Sequence, residues 1–502
     1  MSYRWIASSL LSIIAATQAR EKHAGCFYGA TMYPWSAAQR PGMGQFWPED
    51  IDTSLCDVIY YGFGTLLNET YEVCSWDPVF DLGPDDKGDT TIQNCVGQDP
   101  GMGGEQDGIR RTIALKEKKP GLKILFSVGS WKAGGWVFSQ MVKTRESRTR
   151  FESSVTHFLK YFGFDGLDID WQFPALDMWT MKPTDPEDKT RFTALAQELK
   201  TAFAGDDLLL TVSVAADPAK ADNAYELDKL PDYVDWFNVL SFDYSGSWDG
   251  FTGIDEPLYG KWDESFPGHE HFQFNVHETI QFYLQRGVNP NQLSLGIHSE
   301  GKSYLLTDTA KEAPGVYCPA AQAPELPFSR QENWLTYYEL LQLFYNDTIQ
   351  YPGWDGLEPG LDHWTVYDHG HGNVDMCYMA PYAYQGPYWV SYEDPMSVDV
   401  KARYANHYGL KGAFIFTVQS DDFIGLFGQK KFGLLSAMNA ALESETGLTD
   451  EEIHGAASEN TNCAPDYPTC RERVHPTADT NSGVLVANLA WANAIIILSF
   501  YF

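Results

Sequence analysis

The chain has 502 residues, 44% of them hydrophobic, enough to bury a large core in one big domain or two modest ones. Lys and Arg number 35 against 68 Asp and Glu, a formal charge of −33. A surface that acidic repels nucleic acid and anionic membrane, and it suits a neutral or cationic ligand. The chain opens on MSYRWIASSLLSIIAATQA, with Arg4, an apolar stretch from Trp5 to Ala16, and a small-residue exit at Thr17 and Ala19. That order predicts a secretory signal peptide over 1–19, cut near Ala19.

Eight β-rich apolar runs follow: CFYGAT (26–31), DVIYYGF (57–63), KILFSV (123–128), FDGLDID (164–170), LLLTVSV (208–214), WFNVLS (236–241), LSLGI (293–297) and GAFIFTV (412–418). Helical-period segments such as Ser147–Tyr161, Lys189–Phe203 and Val276–Arg286 separate several of them. Buried-type strands alternating with crossovers predict an α/β fold, a (β/α)8 barrel over 20–445. Barrel chemistry gathers at the C-terminal ends of the strands, where Asp168, Asp170, Gln172 and Asp243 fall. Residues 69–108 are Gly- and Asp-rich with two cysteines and read as a stapled loop after strand two. Residues 304–390 are aromatic-rich and too long for one crossover, so an inserted α+β lobe walling one side of a cleft is expected there. Residues 446–480 read as a polar stalk.

The eight cysteines of a secreted chain read as disulfides. Proximity suggests Cys74 with Cys95 and Cys463 with Cys470, and Cys26–Cys56 with Cys318–Cys377 is one arrangement of the rest. Metal-ligand spacing is missing, so no metal and no cofactor is expected. Sequons at Asn68 and Asn346 fit glycosylated surface loops. At the other end, small residues Asn481, Ser482 and Gly483 precede VLVANLAWANAIIILSFYF, an apolar run over 484–502 with no basic residue after it. This is the pattern of a GPI-attachment signal. The alternative, a tail-end transmembrane helix, is barely long enough and lacks cytoplasmic positive anchors. A monomer at the cell surface or secreted, touching membrane only through that anchor, is the expected state.

The segment FDGLDIDWQ resembles the strand-four signature of glycoside hydrolase family 18, the chitinases and chitinase-like proteins: Asp-Gly-x-Asp-x-Asp-x-Glu. Asp165, Gly166, Asp168 and Asp170 match it, and Gln172 breaks it. KILFSVGSW (123–131) is similar to the family's strand-three segment, with Ser130 where a second glycine is usual. LSFDYSGSWDG (240–250) is similar to its strand-six segment, Met-x-Tyr-Asp, with Leu240 and Phe242 as replacements and Asp243 kept. KGAFIFTVQSDDF and APYAYQGPYWVSYED resemble the segments around strand eight, with Phe416 where the family has a sugar-floor tryptophan. LCDVIYYGF and FWPEDID match the strand-two region. The similarity covers roughly residues 25–443.

The resemblance implies a substrate whose own N-acetyl group attacks the anomeric carbon, leaving one protein acid to protonate the departing oxygen. That acid is the position of Gln172, and an amide has no labile proton of useful pKa. The resemblance gives Asp170 the orienting of the acetamide and Asp168 the support of Asp170. A tyrosine at 242 would donate to the acetamide oxygen, and Phe242 has no donor. Glu300, aligned with a family tyrosine at the end of strand seven, is the one obvious substitute acid and otherwise a polar rim residue. Trp131, Trp248, Trp389, Tyr33 and Trp35 are candidate stacking faces for sugar rings, each of which taken singly also suits a core. The expected ligand is chitin or a chito-oligosaccharide, bound without hydrolysis. A working chitinase with a displaced acid and a protein-binding scaffold are the alternatives.

Overall fold

The structure, a computed structural model, describes residues 23–30, 40–83, 93–94, 106–177, 180–260, 274–307, 314–346, 353–358, 361–367, 379–444 and 447–448. The segments expected as signal peptide and C-terminal anchor, the expected stalk apart from Gly447 and Leu448, and Tyr33, Trp35, Cys95, Cys377, Cys463 and Cys470 lie outside the described residues.

Eight parallel strands form the centre: β1 His23–Gly29, β2 Val58–Leu66, β3 Lys123–Gly129, β4 Gly166–Asp170, β5 Leu209–Val214, β6 Trp236–Val239, β7 Leu293–His298 and β8 Gly412–Phe416. Each pairs with its neighbour in chain order, and β1 pairs with both β2 and β8, so the sheet closes on itself. All eight sequence runs are strands of this barrel, and its edges vanish on closure, as a parallel sheet rich in buried apolar residues requires. The crossovers are amphipathic helices. In Arg145–Phe162, between β3 and β4, Phe151, Val155, Phe158, Leu159 and Phe162 share the buried face. Thr144 caps its start by accepting from the Ser147 N–H at 3.1 Å. Asp188–Phe203 and Val276–Gln285 serve β5 and β7 in the same way.

Directly after β7, six strands between Glu300 and Ser391 form an antiparallel sheet, with the helix Tyr337–Tyr345 against it. The lobe therefore starts four residues earlier than 304, because Glu300 is not the end of strand seven but the first residue of the lobe strand Glu300–Leu306. Cys26 and Cys56 form a disulfide. Cys74 and Cys318 are also disulfide-bonded, with partners outside the described residues. Asn68 is exposed in a turn, whereas the Asn346 amide donates to Gln342 Oε1 at 2.6 Å.

Candidate carbohydrate site

Strand alternation sends Asp168 and Asp170 to the same side of β4, into the barrel at its C-terminal end. Asp168 is fully buried and accepts four hydrogen bonds: from Ser127 at 2.7 Å, Thr211 at 2.7 Å, Ser213 at 3.1 Å and Asn238 at 3.0 Å. Burial raises its carboxyl above the ordinary range, and those four donors work against the rise. Asn238 is itself held by Tyr60, whose hydroxyl donates to it at 2.8 Å and accepts from Trp236 Nε1 at 2.8 Å. A polar column thus runs through the barrel floor to the base of the site.

Asp170 sits one layer above, 1% exposed. Its Oδ1 accepts from Gln172 Nε2 at 2.9 Å, and its Oδ2 has no hydrogen-bond partner among the described residues. Burial first, and the charge of Asp168 second, push its carboxyl up to about 7. The chain passes close behind it: the Ser130 N–H donates to the Asp170 carbonyl at 2.8 Å. A Cβ on Gly129 would stand 2.0 Å from that carbonyl oxygen, so only glycine fits at 129. Ser130, in the place of a usual glycine, holds φ at +89°.

The opposite wall is aromatic. Phe242, 7% exposed, stacks on the His298 ring at 4.5 Å and 12° and tilts against Phe416 at 5.1 Å. Phe416 in turn lies 5.2 Å from Phe27. Trp131 and Trp248 are the exposed rings of the rim, at 41% and 52%. Trp389 does not join them. It is fully buried in the lobe, stacked on Tyr382 at 5.0 Å and edge-on to Tyr304 at 5.3 Å. Its alternation on the lobe strand Tyr388–Ser391 turns it into that core, so the expectation of a stacking face at Trp389 is corrected to a packing role.

An ionic network absent from the sequence reading lies beneath Phe242. The fully buried Lys302 ammonium contacts Asp243, approaches Asp255 at 3.8 Å, and covers the Trp334 ring at 2.8 Å from its centroid. Asp255 also meets His298 Nδ1 at 3.0 Å. Burial would raise the Asp255 carboxyl, but Lys302, His298 and Lys401 together hold it below the ordinary carboxylate range. Glu256 accepts from the His298 N–H at 2.9 Å and lies 3.2 Å from the buried Lys401, which also pairs with Glu393. Ligand atoms of Asp243, Asp255 and His298 fall within 4.8 Å of one another, a metal-like spacing. The Lys302 ammonium already supplies the cation there. Glu300 lies across His298, 3.8 Å from Nε2, with its Oε1 accepting from Ser420 at 2.8 Å.

A signal for Lys302 exists in the sequence: a lysine inside HSEGKSY, where alternation buries it, needs an acid beside it. Asp255 and Glu256, adjacent acids in GIDEPLYG, are its counterpart, and nothing local ties the two segments together. Ser127, Thr211, Ser213 and Asn238 carry no motif of their own.

A closed parallel barrel with stacked carboxylates at the C-terminal end of β4 and an antiparallel lobe after β7 defines a (β/α)8 protein of glycoside-hydrolase type. The sequence profile of Glycosyl hydrolases family 18 matches residues 29–421, and the chain belongs to that family. It is 30% identical over 419 residues to mouse chitotriosidase-1, covering 82% of this chain and 77% of that one. It is 29% identical over 452 residues to probable chitinase 10 of Drosophila melanogaster, covering 90% of this chain but only 17% of that much longer protein. Among solved structures it is similar to human YKL-39, a pseudo-chitinase with retained chitooligosaccharide binding properties. The TM-score is 0.66 at 28% identity, covering 84% of this chain and 100% of that one.

Proposed function

We propose that this protein binds chitin-type oligosaccharides at the C-terminal end of its barrel and does not hydrolyse them. The observation that carries the reading is Gln172 at the position of the acid, with its amide donating to Asp170 at 2.9 Å. General acid catalysis needs a proton that leaves near working pH, and an amide holds its protons too tightly. The amide does keep the capacity to donate to a glycosidic oxygen, and exposed Trp131 and Trp248 offer stacking faces. A site that binds and orients without protonating is the result. The binding retained by human YKL-39 supports this reading by kinship. Glu300 is poorly suited as a displaced acid, since Ser420 and His298 hold its carboxylate among the residues after β7 and β8. Secretion with a GPI anchor belongs to the same proposal, on the strength of the apolar runs at 1–19 and 484–502.

The test is turnover of a fluorogenic chito-oligosaccharide by wild type, Gln172→Glu, Phe242→Tyr and the double variant. No turnover by wild type is expected, little by Gln172→Glu, and clearly more by the double. The acid returns about 10²–10⁴-fold and a donor to developing charge about 10²–10³-fold, without simple additivity. Wild-type turnover equal to that of the double variant would overturn the reading.

A further inference from the structure

We propose that the position over Asp170 takes a de-N-acetylated unit, a glucosamine whose ammonium pairs with Asp170 Oδ2, within a β-1,4-linked chitin-type oligomer. The inference rests on the oligosaccharide-binding reading above and names the unit that its deepest position selects.

The first support is an unmatched acceptor. Asp170 is 1% exposed, Gln172 takes Oδ1, and Oδ2 is left with no partner among the described residues. Buried polar atoms are almost always paired. Burial keeps a proton on this carboxyl, and an ammonium, with three donors and a compensating charge, takes that proton's place on Oδ2. The described residues do not supply that charge. Asp168 and Tyr225 are the titratable groups that act on Asp170 or respond to it, and neither is a cation. Lys302 is committed to Asp243 and Asp255.

The second support is the missing complement to an acetamide. An acetamide carbonyl seeks a donor, and the side chains of the wall made by Phe27, Phe242 and Phe416 have none. The Gln172 amide spends one of its two N–H bonds on Asp170. The third is the field of the whole chain: with 68 acids against 35 bases it draws a polycationic glycan and is indifferent to a neutral one.

The experiment is titration calorimetry of the full-length protein with chitohexaose and with its fully de-N-acetylated counterpart at pH 6 in moderate salt. The wild type should prefer the de-N-acetylated hexamer by about tenfold or more, the worth of one charge-assisted pair. Asp170→Asn, with folding checked by its thermal midpoint, should cut the ratio about tenfold, leaving only the preference that the field of the chain supplies. Phe242→Tyr, which restores a donor, should move the preference toward the acetylated hexamer. Since burial holds the Asp170 carboxyl up at about 7, pairing at pH 6 should also expel about one proton, visible as heats that vary with buffer. A preference left unchanged by Asp170→Asn would mean attraction to surface charge alone and overturns the proposal. Binding of chitohexaose as tight as, or tighter than, its counterpart overturns it too and leaves the oligosaccharide-binding reading standing. Binding of neither hexamer overturns both.

Discussion

Replacing Asp170 by asparagine should change how stability depends on pH. In the native protein this carboxyl is raised from 3.8 to about 7 by burial and by Asp168. In the unfolded chain it ionises near its ordinary value, so between those limits the native state holds a proton that the unfolded state has released. Stability associated with this group is complete below about pH 4 and is lost as pH rises through about 7. A shift of about three units at 1.36 kcal/mol each gives about 4 kcal/mol, and local relaxation brings the expectation to about 2–4 kcal/mol. An asparagine in this place titrates in neither state and still accepts from Gln172. Denaturant midpoints of both proteins at pH 4.5 and pH 8.5 measure the difference. The Asp170→Asn variant should gain about 2–4 kcal/mol relative to wild type across that interval. Asp81 and Glu393, each raised to about 7, and Asp421, raised to about 6, titrate in both proteins and cancel in the comparison. Parallel pH profiles would refute the assigned environment of Asp170.

Trp131→Ala should weaken oligosaccharide binding about tenfold to a hundredfold by loss of a stacking face, with little change in thermal midpoint. Trp389→Ala should do the reverse: binding kept, stability reduced by about 3–5 kcal/mol, read from denaturant unfolding. Ser130→Gly should stabilise the fold by about 1 kcal/mol or more, because it relieves a side chain held at φ +89°. Phosphatidylinositol-specific phospholipase should release the protein from cells that display it; retention with residues 484–502 still attached would contradict the anchor.

The barrel was legible because parallel strands buried on both faces write themselves as unbroken apolar runs, and all eight were present. The β4 end was legible because its acids alternate along one strand. Ser130 stood out in the sequence only as a departure from a usual glycine; the tight passage of Gly129 and Ser130 behind the Asp170 carbonyl became visible only in the structure. Trp389 was misread because an aromatic on a lobe strand looks alike in sequence whether it faces solvent or a core. Which face is inward depends on the Tyr304 and Tyr382 partners, set by pairings across the whole lobe. The Lys302, Asp255, His298 and Glu256 network escaped for a related reason: its members come from the segment after β6, the last residue of β7 and the lobe strand that follows it, and meet only when the barrel closes. Asp168 was found, while its four donors, spread over β3, β5 and β6, were not.

The central claim, binding without cleavage, meets its most direct test in a crystal of the wild-type protein soaked for days with a chitin oligomer. The account predicts an intact chain across the C-terminal end of β4, with a glycosidic oxygen in hydrogen-bond reach of the Gln172 amide. Cleaved product in the site, or an oligomer whose scissile oxygen lies instead against the Glu300 carboxylate, would contradict it.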